Sequence, residues 1–175
     1  MSTDQIETPA IDKSTWGDGP WQQEPDRLDF VHAGYACLVT RHPRHGHLCG
    51  YVGVDETHPL FGDPYQETPE EIDVHGGLTY SARCSGQVCH VPAPGMPEDV
   101  WWFGFDAAHG GDLSPGIAAR EREYAPPLPS IPGFCERYRS LEYMRCETES
   151  LAEQLRALAS QPQQPALFAH APEPD

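Results

Sequence analysis

In "DVWWFGFDAAHGGD" (residues 99–112) a run of aromatic residues leads straight into three ionisable ones. The first half reads as a β-strand, with two Trp and two Phe within five residues. Side chains alternate along a strand. Trp101, Phe103 and Phe105 therefore share one face, and Trp102, Gly104 and Asp106 share the other. The second half spaces Asp106, His109 and Asp112 by three around Gly110-Gly111. An apolar strand that ends in convergent polar groups is a common setting for a site.

Working outward, "GYACLVTRH" (34–42) and "HLCGYVGVD" (47–55) read as two strands joined by "PRHG", a β-hairpin. "VHGGLTYSAR" (74–83) reads as a third strand and 99–105 as a fourth. Between them, "ETHPLFGDPYQETPEEI" is a Pro-broken loop with one helical turn expected at Thr68–Pro69, where Thr68 caps and Pro69 takes the first helical position. Residues 84–98 and "APPLPSIPG" (125–133) are too rich in Gly and Pro for regular structure. From Phe134 to Ala159, Tyr138, Leu141, Met144, Thr148, Leu151, Leu155 and Leu158 draw one stripe at helical spacing. The stripe suits a partner surface, but a sheet of this size needs a cover, and packing on it is the favoured reading. The expected fold is α+β: a small, mainly antiparallel sheet packed against one long C-terminal helix, with extended loops.

The chain has 175 residues, as expected for one domain. Residues 1–27 read as a disordered acidic tail, with Trp16 or Trp21 available to dock back, 28–159 as the domain, and 160–175 as a disordered Pro/Gln-rich tail. The net charge of -16, from 11 basic and 27 acidic residues, disfavours direct nucleic-acid binding and adhesion to anionic membranes. The first residues show neither a basic start nor an apolar core, so a cytosolic protein with mostly reduced cysteines is expected. Cys84, Cys89 and His90 are spaced too loosely for a structural zinc site, and buried free thiols are the plainer reading.

If the large apolar sets all face the helix, with Leu78 and Tyr80 among them, the opposite face carries Gly53, Gly77 and Gly104. Tyr51, His75, Thr79, Trp102 and Asp106 flank them. Strand glycines are often kept where something must approach the backbone closely, which suggests a ligand groove. Each piece has a plainer reading. His75-Gly76-Gly77 suits a turn, Trp102 suits packing, and Asp106 and Asp112 suit caps.

The motifs "CGYVGV…HPLFG" (49–62), "VHGGLTYS" (74–81) and "WWFGFDAAHGGD" (101–112) resemble those of a largely uncharacterised family of small bacteriophage-encoded proteins, over roughly residues 35–155. By motif match the resemblance carries over His58, His75, Gly76, Gly77, Asp106, His109 and Asp112. The family pattern favours Cys where this chain has Ala107 or Ala108, which argues against a thiol nucleophile there. The resemblance implies a host bacterial cytoplasm and an accessory, anti-defence role.

Two functions follow. In the first, Tyr51, His58, His75, Gly76, Gly77, Thr79, Trp102, Asp106, His109 and Asp112 line a groove that sequesters a small, polar, nucleotide-derived ligand, without a cofactor. An aromatic ring would stack the base, and glycine N–H groups would cradle its oxygens. In the second, His75, Asp106, His109 and Asp112 hold zinc or manganese in a hydrolase or phosphoesterase. Both imply a small-molecule partner and leave a homo-oligomer open.

Overall fold

The computed structural model describes residues 10–124 and 135–161. Five strands form one sheet: β1 (Arg27–His32), β2 (Tyr35–Arg41), β3 (Leu48–Val54), β4 (Tyr80–Arg83) and β5 (Trp101–Asp106). Their order is β1-β2-β3-β5-β4, and every pairing is antiparallel. Two helices follow, α1 (Pro115–Tyr124) and α2 (Leu141–Ala159). The fold is α+β, with the sheet packed against the C-terminal helix. No helix among the described residues is long and apolar enough to cross a membrane.

The register fixes the faces. Val52 stands opposite Phe103, and Val54 opposite Trp101. Phe103 and Phe105 join Met144, Leu151, Ala152 and Leu155 of α2 in the main core, with Trp101 and Leu141 at its margin. Ser140 caps the helix by accepting from Tyr143 N, so α2 begins at 141 rather than 134. Tyr138 is held outside it by Arg41. The helix sits close on β3 because Gly50 leaves room: a Cβ there would overlap Thr148 Oγ1 and the Phe105 ring.

Several expectations shift. The domain begins before residue 28: Trp16 and Trp21 are buried, Pro20–Gln22 form a 3-10 turn, and Arg27 opens β1. The outer parts of the expected tails, 1–9 and 162–175, and the segment 125–133 lie outside the described residues. The helical turn near Thr68 falls earlier, at Tyr65–Glu67, and Thr68 closes it by donating to Tyr65 O at 2.7 Å. The third strand is only four residues long. Gly76 and Gly77 take positive φ (70° and 83°) ahead of it, which breaks the alternation. Leu78 reaches the main core, whereas Tyr80, opposite Gly104, lies on the other face. Cys84 and Cys89 form a disulfide rather than two free thiols, whereas Cys37, Cys49, Cys135 and Cys146 are free.

The β2–β3 turn carries three stacked imidazoles. The His42 ring lies 4.1 Å from His45 and 5.0 Å from His47, centroid to centroid. His47 is buried beside Ser114, and Gly116 N donates to His45 O, which seats the start of α1 on the turn.

Two stability measurements check this packing. Leu151→Ala is expected to cost about 2–5 kcal/mol in urea unfolding, the range for a fully buried leucine. The histidines set a pH dependence. Burial, then the neighbouring His42, pushes the His47 pKa down to about 4. Burial also lowers His42, His45 and His58. The unfolded chain takes up these protons near pH 6.5, before the folded one does. Stability is therefore full above about pH 6.5 and is lost as the pH falls towards about 4. The urea midpoint should fall across that window, and less steeply in His47→Asn.

Candidate functional site

The face expected to form a glycine groove is filled by the chain's own side chains. Trp102 is fully buried with Ala36, Leu38 and Val100, and Tyr51, Tyr80 and Val88 pack around them. A Cβ on Gly53 would press on Val100, and one on Gly104 would overlap the Tyr51 ring. These glycines make room for neighbours in a second, smaller core. The loop after β4 covers it. The Cys84–Cys89 disulfide closes this loop, and Arg27 pins it by donating to Gln87 O and Cys89 O, both at 2.7 Å.

His58 is also spoken for. Its Nδ1 accepts from Leu60 N at 3.1 Å, so Nε2 carries the proton and donates to Leu155 O at 2.9 Å. It ties the loop after β3 to α2. Asp106 acts as a turn cap: it accepts from Ala108 N at 3.1 Å and from Thr79 Oγ1 at 2.8 Å.

The remaining polar residues do converge. Beyond β5 the chain turns through Gly111 at φ 93°, and Asp112 N donates to His109 O. This aims Asp112 inward, where its side chain is 2% exposed. Asp112 Oδ2 accepts from His75 Nε2 at 2.7 Å and from His109 N at 3.1 Å, and Oδ1 accepts from Arg139 Nε at 2.8 Å. Burial pushes the Asp112 pKa up, but the bonds from Arg139, His75 and the His109 N–H outweigh it and hold the pKa below its ordinary value. The carboxylate is thus charged and acts only as an acceptor.

That fixes His75. In neutral form its Nε2 carries the proton shared with Asp112, and Nδ1 accepts from the Tyr143 hydroxyl at 3.0 Å. His75 N donates to Glu147 Oε2 at 2.9 Å, so α2 holds both ends of the residue. The turn Val74–Gly77 brings the ring beside His109, 5.5 Å between centroids. Gly76 is required twice: its φ is positive, and any Cβ would overlap the His109 ring.

One donor atom each from His75, His109 and Asp112 lies within 4.8 Å of the others. Around a tetrahedral zinc with bonds of about 2.0–2.2 Å, donor atoms stand about 3.4 Å apart, so the 2.7 Å His75–Asp112 pair would open and the 3.7 Å His109–Asp112 pair would close. His109 Nδ1 is buried without a hydrogen-bond partner, 3.7 Å from Asp112 Oδ2. A cavity of about 260 Å³ shares His109 and Asp112 as wall residues and continues along Ser114, Ile117 and Ala118.

Of the residues singled out in the sequence, the structure gathers His75, Gly76, His109 and Asp112. Gly77 completes the turn beside them, with open space where a Cβ would stand. Tyr51 and Trp102 lie in the second core, His58 sits at the C-terminal part of α2, and Thr79 and Asp106 bond each other. Tyr143, Glu147 and Arg139 join the site without having been expected there, since polar residues beside an apolar stripe read as a solvated helix face. Their spacing of four, on the approach to and first turns of α2, is the signal that places them on one side. Comparison with protein-family models, curated proteins and solved structures finds no match to this chain.

Gly76→Ala should displace the His109 ring and strain the turn. The expected loss is about 1–3 kcal/mol in urea unfolding, together with large shifts of the His75 and His109 ring signals in NMR spectra. An unchanged His109 spectrum would contradict the packing described here.

Proposed function

We propose that the protein is a metal-dependent hydrolase whose centre is formed by His75, His109 and Asp112. The observation that carries this reading is the buried, unpartnered His109 Nδ1 within a cluster of convergent donor atoms. A buried polar atom without a partner is costly, and a cation would satisfy it. Two imidazoles and one carboxylate suit zinc, manganese or ferrous iron. Such an ion supplies an activated water for attack on an ester, amide or phosphoester bond.

The surroundings fit that role. Were His75 Nε2 to hold a cation, the ring proton would sit on Nδ1. The 3.0 Å contact with Tyr143 would then run the other way, Nδ1–H donating to the hydroxyl oxygen. Arg139 holds the second oxygen of Asp112. Asp106 is not part of this centre, because Thr79 and Ala108 N hold its carboxylate. The sequestration of a nucleotide-derived ligand has less support, since the face it would use is packed with Trp102, Val100 and Tyr51. The motif resemblance to bacteriophage-encoded proteins supports extending the proposal to an anti-defence hydrolase acting in an infected bacterium.

The test is a titration of the purified chain with zinc, manganese and cobalt(II) by calorimetry and visible absorption. One equivalent should bind, and His109→Ala or His75→Ala should weaken binding by at least about tenfold, since loss even of an outer-shell partner costs 10–100-fold. Turnover of small esters, amides or phosphoesters should exceed one equivalent, stop with chelator and return with metal. Absence of metal binding overturns the proposal. Intact ligand released at fixed stoichiometry, indifferent to chelator, would instead support sequestration.

A further inference from the structure

We infer that the cavity beside this centre selects substrates carrying an aliphatic amine or guanidinium near the scissile bond. The inference rests on the hydrolase reading for the word substrate, but the charge selectivity belongs to the cavity itself.

The cavity holds about 260 Å³. At roughly 30 Å³ per water this is room for a group about the size of an amino acid. Its wall residues fall into two kinds. Ala108, Ile117 and Ala118 are apolar and suit the methylene stem of a long basic side chain. Glu121, on α1, and Glu136, on the segment returning towards α2, supply two carboxylates from different parts of the chain. Among the described residues neither Glu121 nor Glu136 takes part in an ion pair, whereas Asp112 is already matched by Arg139 and His75.

No lysine or arginine lines the space, and His109 is the basic side chain on its wall. All 11 Lys and Arg residues of the chain lie among the described residues, and none of them lines the cavity. Arg139 is committed to Asp112, and Arg122 to Trp16 O. In the metal-free protein a phosphate entering here would meet the Glu121 and Glu136 carboxylates and no guanidinium, the reverse of the usual phosphate site. The net charge of -16 acts in the same sense at longer range, drawing cations towards the molecule. Hydrolysis at such a substrate would form the C–O bond from water, break the C–N or C–O bond, and pass the water's proton to the leaving amine or alcohol.

The test is binding by methyl NMR on metal-free protein, following the Ile117 side chain. The probes are lysinamide, its diacetylated form and inorganic phosphate. Lysinamide should shift Ile117 with about two- to twentyfold lower Kd than the diacetylated probe, because one exposed ion pair is worth up to about fivefold and two carboxylates act together. Phosphate should leave the signal unmoved. In the Glu121→Gln/Glu136→Gln double variant, both positions being exposed, the preference for lysinamide should vanish. Equal or tighter binding of the acetylated probe or phosphate, or an unchanged preference in the double variant, overturns the inference. If lysinamide binds as stated while no metal titrates, the hydrolase reading falls and the cation-selective pocket stands.

Discussion

Arg41 is the contact on which much of the architecture hangs. Its side chain is fully buried at the end of β2, and each nitrogen has a partner. Nε donates to Asp26 at 2.7 Å, Nη2 to Glu24 at 3.0 Å, and Nη1 to Gly46 O and the Tyr138 hydroxyl. A buried guanidinium is tolerated only when matched in this way. The partners come from the N-terminal segment, the hairpin turn and the approach to α2, so one side chain fixes three distant pieces of chain. Glu24 also accepts from Leu141 N at the start of α2. That contact sets where the helix begins, and hence where Arg139, Tyr143 and Glu147 meet His75 and Asp112.

The hairpin, β5 and the α2 stripe were legible because their side-chain periods are strong. β1 was not. In "RLDFVH" only Leu28 and Phe30 turn inward, and an edge strand half open to solvent resembles a polar tail. α1 buries only Pro115 and Gly116, so it has no apolar stripe to read. The third strand departs from simple alternation because two positive-φ glycines reset it. At the site, His75, His109 and Asp112 stood out by residue type and by the glycines between them. Tyr143 did not, because it lies 68 residues from His75 and its role exists only once α2 has packed. The glycines misled for a definite reason: an absent side chain marks a close approach, but not whether a ligand or the chain's own ring approaches. At Gly53 and Gly104 it is Val100 and Tyr51.

Asp112 serves two ends. It joins the turn after β5 to the His75 turn and to Arg139, and it is also the anionic donor of the candidate centre. Metal binding would compete with the His75–Asp112 hydrogen bond and displace its proton. Affinity should therefore rise with pH, as for sites whose ligands must first be deprotonated. The three donor atoms already lie within 4.8 Å of one another on turns outside the strands, so a cation would call for side-chain adjustment there.

The loop that closes over Trp102 also shapes the end of the sheet. β4 is an edge strand, and an open edge is where another chain can add itself and begin a fibre. This one offers only Tyr80–Arg83 before the backbone enters the covalently closed turn at Cys84–Cys89, where Ser85 and Val88 already pair with each other. An incoming strand finds four residues of backbone and then a knot of self-paired chain. The same bond that keeps the small core covered thereby guards this edge of the sheet against strand addition.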